Sequence, residues 1–534
     1  MKFRPWLQGA GLAMLYLLPL IAIFLAPAQD GFYHQVMPVT TLTRGALIDL
    51  LLLGFLLGAG LVWLNRLSSR LVQRLVWIPL LFVTAWGAER GVSEFFRNVR
   101  FGFPIPDWAA YVPWMVLAGA VLLLLFARRY YDIAVSATEV FLMSAGIAAI
   151  VVVLPRLVNA CFNHAPPEQA CFAHLVRQPW HPGQPRVVWL LFDELSYNQT
   201  FEHPQPGIEL SAFHQLKQES VSFSQLVPVG SLTEAIIPGL LMGQHISEIR
   251  SNYQGSLLWR SGAETGWQSF NPDATLFAAA RQQGWGTGVV GWFNPYCRLL
   301  ATTLDRCYWT YQEFATGGRF SHLSSQRSTL ENARDALPLM AQVENALHHT
   351  SSNKAHQHDY QAVLREAKSL IEDENIRFAF IHVPVPHTPG IFPNPDPRAA
   401  GSEDYLGNLM LADQTLAELR AAIAKTSAAS DTILIVSSDH SWRVPMWRNA
   451  PGWTKAEERA SNGGQFDKRA VLMVHFPGET GGESESIDRP QSEMIVHSLL
   501  LKIFAGKISS PQELNNALNA PPSTASEGDQ TAKK

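Results

Sequence analysis

The chain has 534 residues, with 41 Lys plus Arg against 45 Asp plus Glu and a formal net charge of -4. A pI near 6.5 gives no basic footprint for a nucleic-acid partner. The first third is strongly apolar and the rest has ordinary globular composition, so one uniform soluble domain does not describe it.

Five stretches, at about 7–26, 46–64, 71–88, 108–127 and 134–154, approach or reach the roughly 20 apolar residues that cross a bilayer. The basic start MKFRP and the APA at 26–28 resemble a secretory signal. The apolar run is long for one and four more follow, so it is read as an uncleaved span. Lys2 and Arg4, then Arg66, Arg70 and Arg74, then Arg128 and Arg129 fall on one side of these spans. On the other side Arg90, Arg97 and Arg100 are diluted by Glu89, Glu94 and Asp107. The positive-inside rule then puts the N-terminus in the cytoplasm and everything after about residue 156 outside it. The aromatic, basic loop 89–107 suits a membrane interface. Asp49 and Glu139 lie near span starts, where their side chains reach the interface by snorkelling.

All four cysteines fall in the outer part, as Cys161 and Cys171, then Cys297 and Cys307. Two local disulfides suit an oxidising compartment, with pairing assigned by proximity. A four-cysteine metal site would show short CxxC spacing, which is missing.

The expected organisation is a membrane domain with five transmembrane helices (1–156), a linker (157–185), a catalytic domain (186–510) and a polar, disordered tail (511–534). In the third part, apolar runs at 187–193, 287–293, 377–385, 432–440 and 470–477 alternate with helical stretches near 273–284, 359–373, 404–425 and 490–505. Buried strands separated by helices imply an extracytoplasmic α/β domain with a mostly parallel central sheet. Such folds bind ligands at the carboxyl ends of their strands.

Those ends carry the chemistry. The first run ends in Asp193-Glu194, the fourth in Asp439-His440, and the third passes His382 to His387. Any one of these reads as a solvated strand end or a packed histidine. Three together read as a site for one divalent cation, Zn2+ first, with Mn2+, Mg2+ and Ca2+ also suited to carboxylates and imidazole. Thr233, in GSLTEAIIPGLLMG, opens an apolar helical run. It is either a nucleophile activated by the metal or, with Ser231, an N-cap. Pro238 interrupts the run.

Together these residues resemble the alkaline-phosphatase and sulfatase-like superfamily. Closest in layout are its membrane-anchored phosphoethanolamine transferases and the lipoteichoic acid synthases with their phosphoglycerol-transferring relatives. VVWLLFDELS is similar to the first metal strand, with Glu194 at the transferases' carboxylate and Asp193-Glu194 like the paired aspartates of sulfatases. Thr233 with Pro238 resembles the T-x4-P nucleophile element; the C/S-x-P-x-R motif of sulfatases is missing. His382 and His387, five apart, resemble the histidines that hold substrate phosphate. Asp413 falls at the usual aspartate of the next helix, and SSDHSW resembles the SDHG metal motif with Ser441 replacing glycine. Many relatives carry a histidine before the last strand, where this chain has Lys468 and Arg469, with Asp467 beside them. The resemblance implies Asp193, Glu194, Asp439, His440 and Thr233 around the metal, with His382, His387, Lys468 and Arg469 on the substrate. It implies a membrane-bound metal-dependent transferase in a bacterial-type cytoplasmic (inner) membrane. That enzyme would take a headgroup from a membrane phospholipid donor and pass it to an envelope glycan or lipid acceptor through Thr233. A hydrolase of the same fold, or a non-catalytic envelope-assembly protein, shares most of these features.

Overall fold

The computed structural model describes residues 3–18, 21, 39–69, parts of 72–87, 128–162, 183–251, 257–262, 265–311, 340–395, 402–449, 452–478 and 485–519. The expected span 108–127, the loop 89–107, Cys171 and residues 520–534 lie outside them.

At the N-terminus, helices α1 (Arg4–Tyr16) and α2 (Val39–Leu64) precede α3 (Arg128–Ala148). A π-helical turn (Ala149–Val153) joins α3 to α4 (Leu154–Phe162). Two described helical stretches, Thr43–Leu64 and Tyr131–Phe162, are long and apolar enough to cross a membrane. Phe162 ends the last helix, which therefore runs into the segment expected as linker. The helices meet through small residues. A Cβ on Gly9 would lie 2.4 Å from the Gly58 backbone, and one on Gly146 would lie 1.9 Å from the Leu7 carbonyl. Arg4 pairs with Glu139 across the bundle, so Glu139 has a protein partner rather than snorkelling alone. Cys161 has no disulfide partner among the described residues, and its expected partner Cys171 lies outside them.

The large domain is built on an eight-stranded sheet. Its strands are β1 (Arg186–Phe192), β2 (Val221–Phe223), β3 (Thr287–Trp292), β4 (Arg306–Thr310), β5 (Phe378–Val383), β6 (Thr432–Ser437), β7 (Leu472–His475) and β8 (Glu485–Ile487). In space the order is β8-β2-β7-β6-β1-β5-β3-β4. Only β7 runs against its neighbours; β1 pairs in parallel with both β5 and β6. Seven consecutive buried residues in β1 account for its uninterrupted apolar sequence, since a central parallel strand is covered on both faces. The edge strands β4 and β8 are mixed in polarity and β2, between β8 and β7, is only three residues long, so none of them stands out in the sequence.

Helices α5 (Ser211–Gln218), α6 (Thr233–Met242), α7 (Met340–Glu372), α8 (Tyr405–Ala424) and α9 (Ile495–Phe504) flank the sheet. α7 is much longer than expected. The expected disordered tail begins instead as α10 (Pro511–Asn519), which buries Leu514. Cys297 and Cys307 form a disulfide across ten positions, tying the turn after β3 to β4.

Candidate active site

The sheet register brings the site together. Leu191 of β1 pairs with His382 of β5 on one side and Ser437 of β6 on the other. Asp193 and Asp439 each lie two residues past that paired level, so the two carboxylates emerge side by side at one sheet edge. Asp193, Asp439 and His440 are buried, and their ligand atoms lie within 4.8 Å of one another.

Thr233 begins α6 and points into this cluster. Its hydroxyl donates to Asp439 Oδ2 at 2.7 Å and lies 3.2 Å from His440 Nε2. Leu232, with no side-chain bond, is the N-cap, so neither Ser231 nor Thr233 serves that purpose. Pro238 sits inside the helix, and Gly243 closes it in the left-handed conformation at φ 67°.

The donor set fits a divalent cation. His440 Nδ1 donates to the Ser441 carbonyl, so in the neutral ring the Nε2 lone pair faces Asp439 Oδ2 at 3.2 Å and Asp193 Oδ1 at 3.9 Å. Asp193 Oδ1 is buried without a hydrogen-bond partner among the described residues. A lone pair facing carboxylate oxygens is repulsive, and a cation among them relieves it. Burial, then the neighbouring Asp439, push the Asp193 carboxyl well above its usual range; burial also raises Asp439. Burial and the nearby Arg443 charge lower the His440 imidazole to about 3.

Glu194 turns the other way. It adopts φ 66°, a left-handed conformation costly for a non-glycine residue. Its carboxylate accepts from Arg443 Nε at 2.5 Å and from Trp447 Nε1 at 2.8 Å. The turn thus parts the adjacent acids, Asp193 into the metal cluster and Glu194 onto Arg443. The carboxylate expected first as a ligand is the one the structure engages elsewhere.

Both histidines are held on both nitrogens. Burial lowers His382 to about 4. Its Nδ1 lies 2.8 Å from the Tyr296 hydroxyl and its Nε2 lies 3.2 Å from Asp193 Oδ2, so it orients a metal carboxylate. Tyr296 reaches it by lying flat on Gly291, where a Cβ would meet the ring at 2.2 Å. His387 donates from Nδ1 to the Thr388 carbonyl and accepts at Nε2 from Arg443 at 2.9 Å. Burial, then Arg443, hold it well below its usual value and neutral. Asn408 of α8 fixes this loop through the His387 and Pro389 carbonyls.

Four residues singled out in the sequence sit apart from the site. Arg469 is committed to Glu202 and to Asp467, which in turn is no metal ligand. Lys468 is exposed beside it. β7 enters the sheet at the edge that carries the site, since Leu472 pairs with Ser437, but the ion pairs of Arg469 with Glu202 and Asp467 draw the arginine side chain away from the cluster. Asp413 accepts from the Ala212 and Phe213 amides and so caps α5. The base in the site is Arg443, three positions past His440; in sequence it is indistinguishable from a surface arginine.

The sulfatase family model matches residues 185–500, more than half of the chain. The chain belongs to the sulfatase family. Members of this family are enzymes that use a divalent metal, and the Asp193, Asp439 and His440 cluster is the metal-type group of this one. Among solved structures it is similar to a protein in the alkaline phosphatase superfamily from Vibrio parahaemolyticus at 15% identity, covering 63% of this chain and 70% of that one with a TM-score of 0.38. A phosphonate monoester hydrolase of Agrobacterium radiobacter matches at 16% identity, with coverages of 60% and 74% and a TM-score of 0.36. A sulfatase from Pseudoalteromonas sp. matches at 14% identity, with coverages of 60% and 68% and a TM-score of 0.39. No match is found among curated proteins.

Proposed function

We propose that this family member transfers a phospholipid headgroup, phosphoethanolamine or phosphoglycerol, to an envelope glycan or lipid through a phosphothreonine-type intermediate. The observation that carries this reading is Thr233, whose hydroxyl is spent on Asp439 and His440 rather than on capping its helix. Its side chain needs no conversion to act as a nucleophile, and the C/S-x-P-x-R motif that supports formylglycine is missing.

Thr233 Oγ1 forms a bond to phosphorus while the bond from phosphorus to the diacylglycerol oxygen breaks. The hydroxyl already donates to Asp439 Oδ2, which marks the direction in which its proton leaves. An acceptor hydroxyl then attacks the same phosphorus and threonine departs. Asp193, Asp439, His440 and Thr233 would hold the cation, which when bound lowers the hydroxyl pKa and draws charge from the ester oxygens. Zn2+ suits this mixed set, and metal analysis separates it from Mn2+, Mg2+ and Ca2+. His382 keeps Asp193 aimed, and His387 keeps Arg443 aimed. The apolar N-terminal helices, as five spans of a bacterial-type inner membrane, would hold the domain on the extracytoplasmic side against its bilayer-embedded donor.

The test is mass spectrometry of the Thr233 peptide from protein purified with lipid. A headgroup-phosphate adduct is expected, discharged by an alcohol acceptor faster than by water. Discharge by water alone would assign a phosphodiesterase of the same fold. No adduct, with Thr233→Ala retaining full activity, would remove Thr233 from the chemistry.

A further inference from the structure

We infer that Arg443 is the oxyanion receptor of this site, and that Glu194 serves as its anchor rather than as a metal ligand. The inference rests on the site handling an ester oxyanion, and it does not depend on the Thr233 intermediate.

A guanidinium has five N–H donors arranged as a fork. Among the described residues, three are engaged: Nε with Glu194 Oε1 at 2.5 Å, Nη1 with the Ser231 carbonyl at 3.3 Å and Nη2 with His387 Nε2 at 2.9 Å. One N–H remains on each terminal nitrogen. That pair is the fork geometry that binds two oxygens of a phosphate or sulfate. Ser231 lies two residues before Thr233, so the fork is fixed beside the nucleophile loop.

The anchoring explains two otherwise costly features. The left-handed turn at Glu194 removes its carboxylate from the Asp193 cluster, and Trp447 Nε1 holds both of its oxygens, at 2.8 and 2.9 Å. His387 is kept as an acceptor, which only a neutral ring provides. Burial opposes the Arg443 charge, but the Glu194 and Asp193 carboxylates outweigh it and keep the guanidinium protonated above its ordinary value. A permanently charged arm held on three sides loses little rotamer freedom when an anion arrives. Arg443 also supplies the positive charge that Lys468 and Arg469 do not bring to the site.

The experiment is calorimetric titration of inorganic phosphate, and separately of sulfate, into the full-length protein in detergent with its metal content measured. Arg443→Gln is expected to bind the anion about ten- to a hundredfold more weakly at unchanged metal content, the effect of losing charged hydrogen bonds. Arg443→Lys restores charge without the fork and is expected to recover part of that loss. Glu194→Gln is expected to weaken anion binding while keeping its metal, whereas Asp193→Asn loses metal. Parent-like affinity in a folded Arg443→Gln, metal loss in Glu194→Gln, or a parent that binds neither anion would overturn the assignment. If Arg443→Gln does not fold, Arg443→Lys and Glu194→Gln decide it on the same readouts. Anion binding through Arg443 without any Thr233 adduct would keep this assignment and remove the transfer mechanism.

Discussion

In the α/β domain the largest side chains are the most deeply buried: Trp189, Trp292, Tyr296 and Tyr405 are all under 2% exposed. In α2 the pattern inverts. Phe55 and Trp63 are 60% and 63% exposed, while Gly54 and Gly58 face α1. Water sorts side chains by apolar area, so size drives burial in the domain. The apolar surroundings proposed for the N-terminal helices would give no such drive, and helices in such surroundings associate by close backbone approach at small residues. The comparison teaches that the two parts obey different packing rules, and each can be broken without the other.

The largest separation is chemical. Thr233→Ala should lower transfer by at least ~10^3-fold while both parts stay folded, read by activity and by unfolding temperature. Chelation should come next, abolishing activity and lowering the domain's unfolding temperature by several degrees. Asp193 and Asp439 are then left facing each other, and hydrogen exchange at residues 193–196 should speed up. Unchanged exchange there would mean the strand end does not depend on a cation.

Packing changes follow. Gly146→Leu should disrupt the α1–α3 contact by a few kcal/mol, because even a Cβ meets the Leu7 carbonyl. The α/β domain should then retain its unfolding transition and its metal; a joint loss would show that the two parts fold as one. Gly291→Ala should cost about 1–3 kcal/mol in the domain alone. It should also lower metal affinity by displacing Tyr296 from His382, measured by competition with a chromogenic chelator.

The most gradual effect is a pH dependence confined to the domain. Burial raises the Glu457 carboxyl to about 7, although the Thr454 and Tyr405 amides donate to it. A raised acid is held protonated by the fold. Its stability is therefore present below the unfolded value of 4.5 and is lost as pH rises through about 7. The loss should be about 3 kcal/mol, and Glu457→Gln should flatten it. A parent-like pH slope in that variant would assign the dependence to another group.

Much of the fold was legible because central parallel strands are apolar throughout. β1, β3, β5 and β6 could be read directly, and their ends named Asp193, His382, Asp439 and His440. What escaped was set by contacts distant in sequence. Nothing local says that β7 runs backwards, and the resemblance placed Lys468 and Arg469 at a site they do not reach. Tyr296 is an ordinary residue of the turn after β3 until β3 and β5 are paired and bring it to His382. The opposite paths of Asp193 and Glu194 depend on one backbone angle, and residue identity there gives no sign of it.

That angle has a thermodynamic consequence. Asp193 and Glu194 share one peptide, and its amide also donates to Asp439. The cation cluster and the arginine fork are therefore mounted on a single rigid joint. Occupying one seat preorganises the other, so cation and oxyanion affinities are linked, and each raises the other by the same factor.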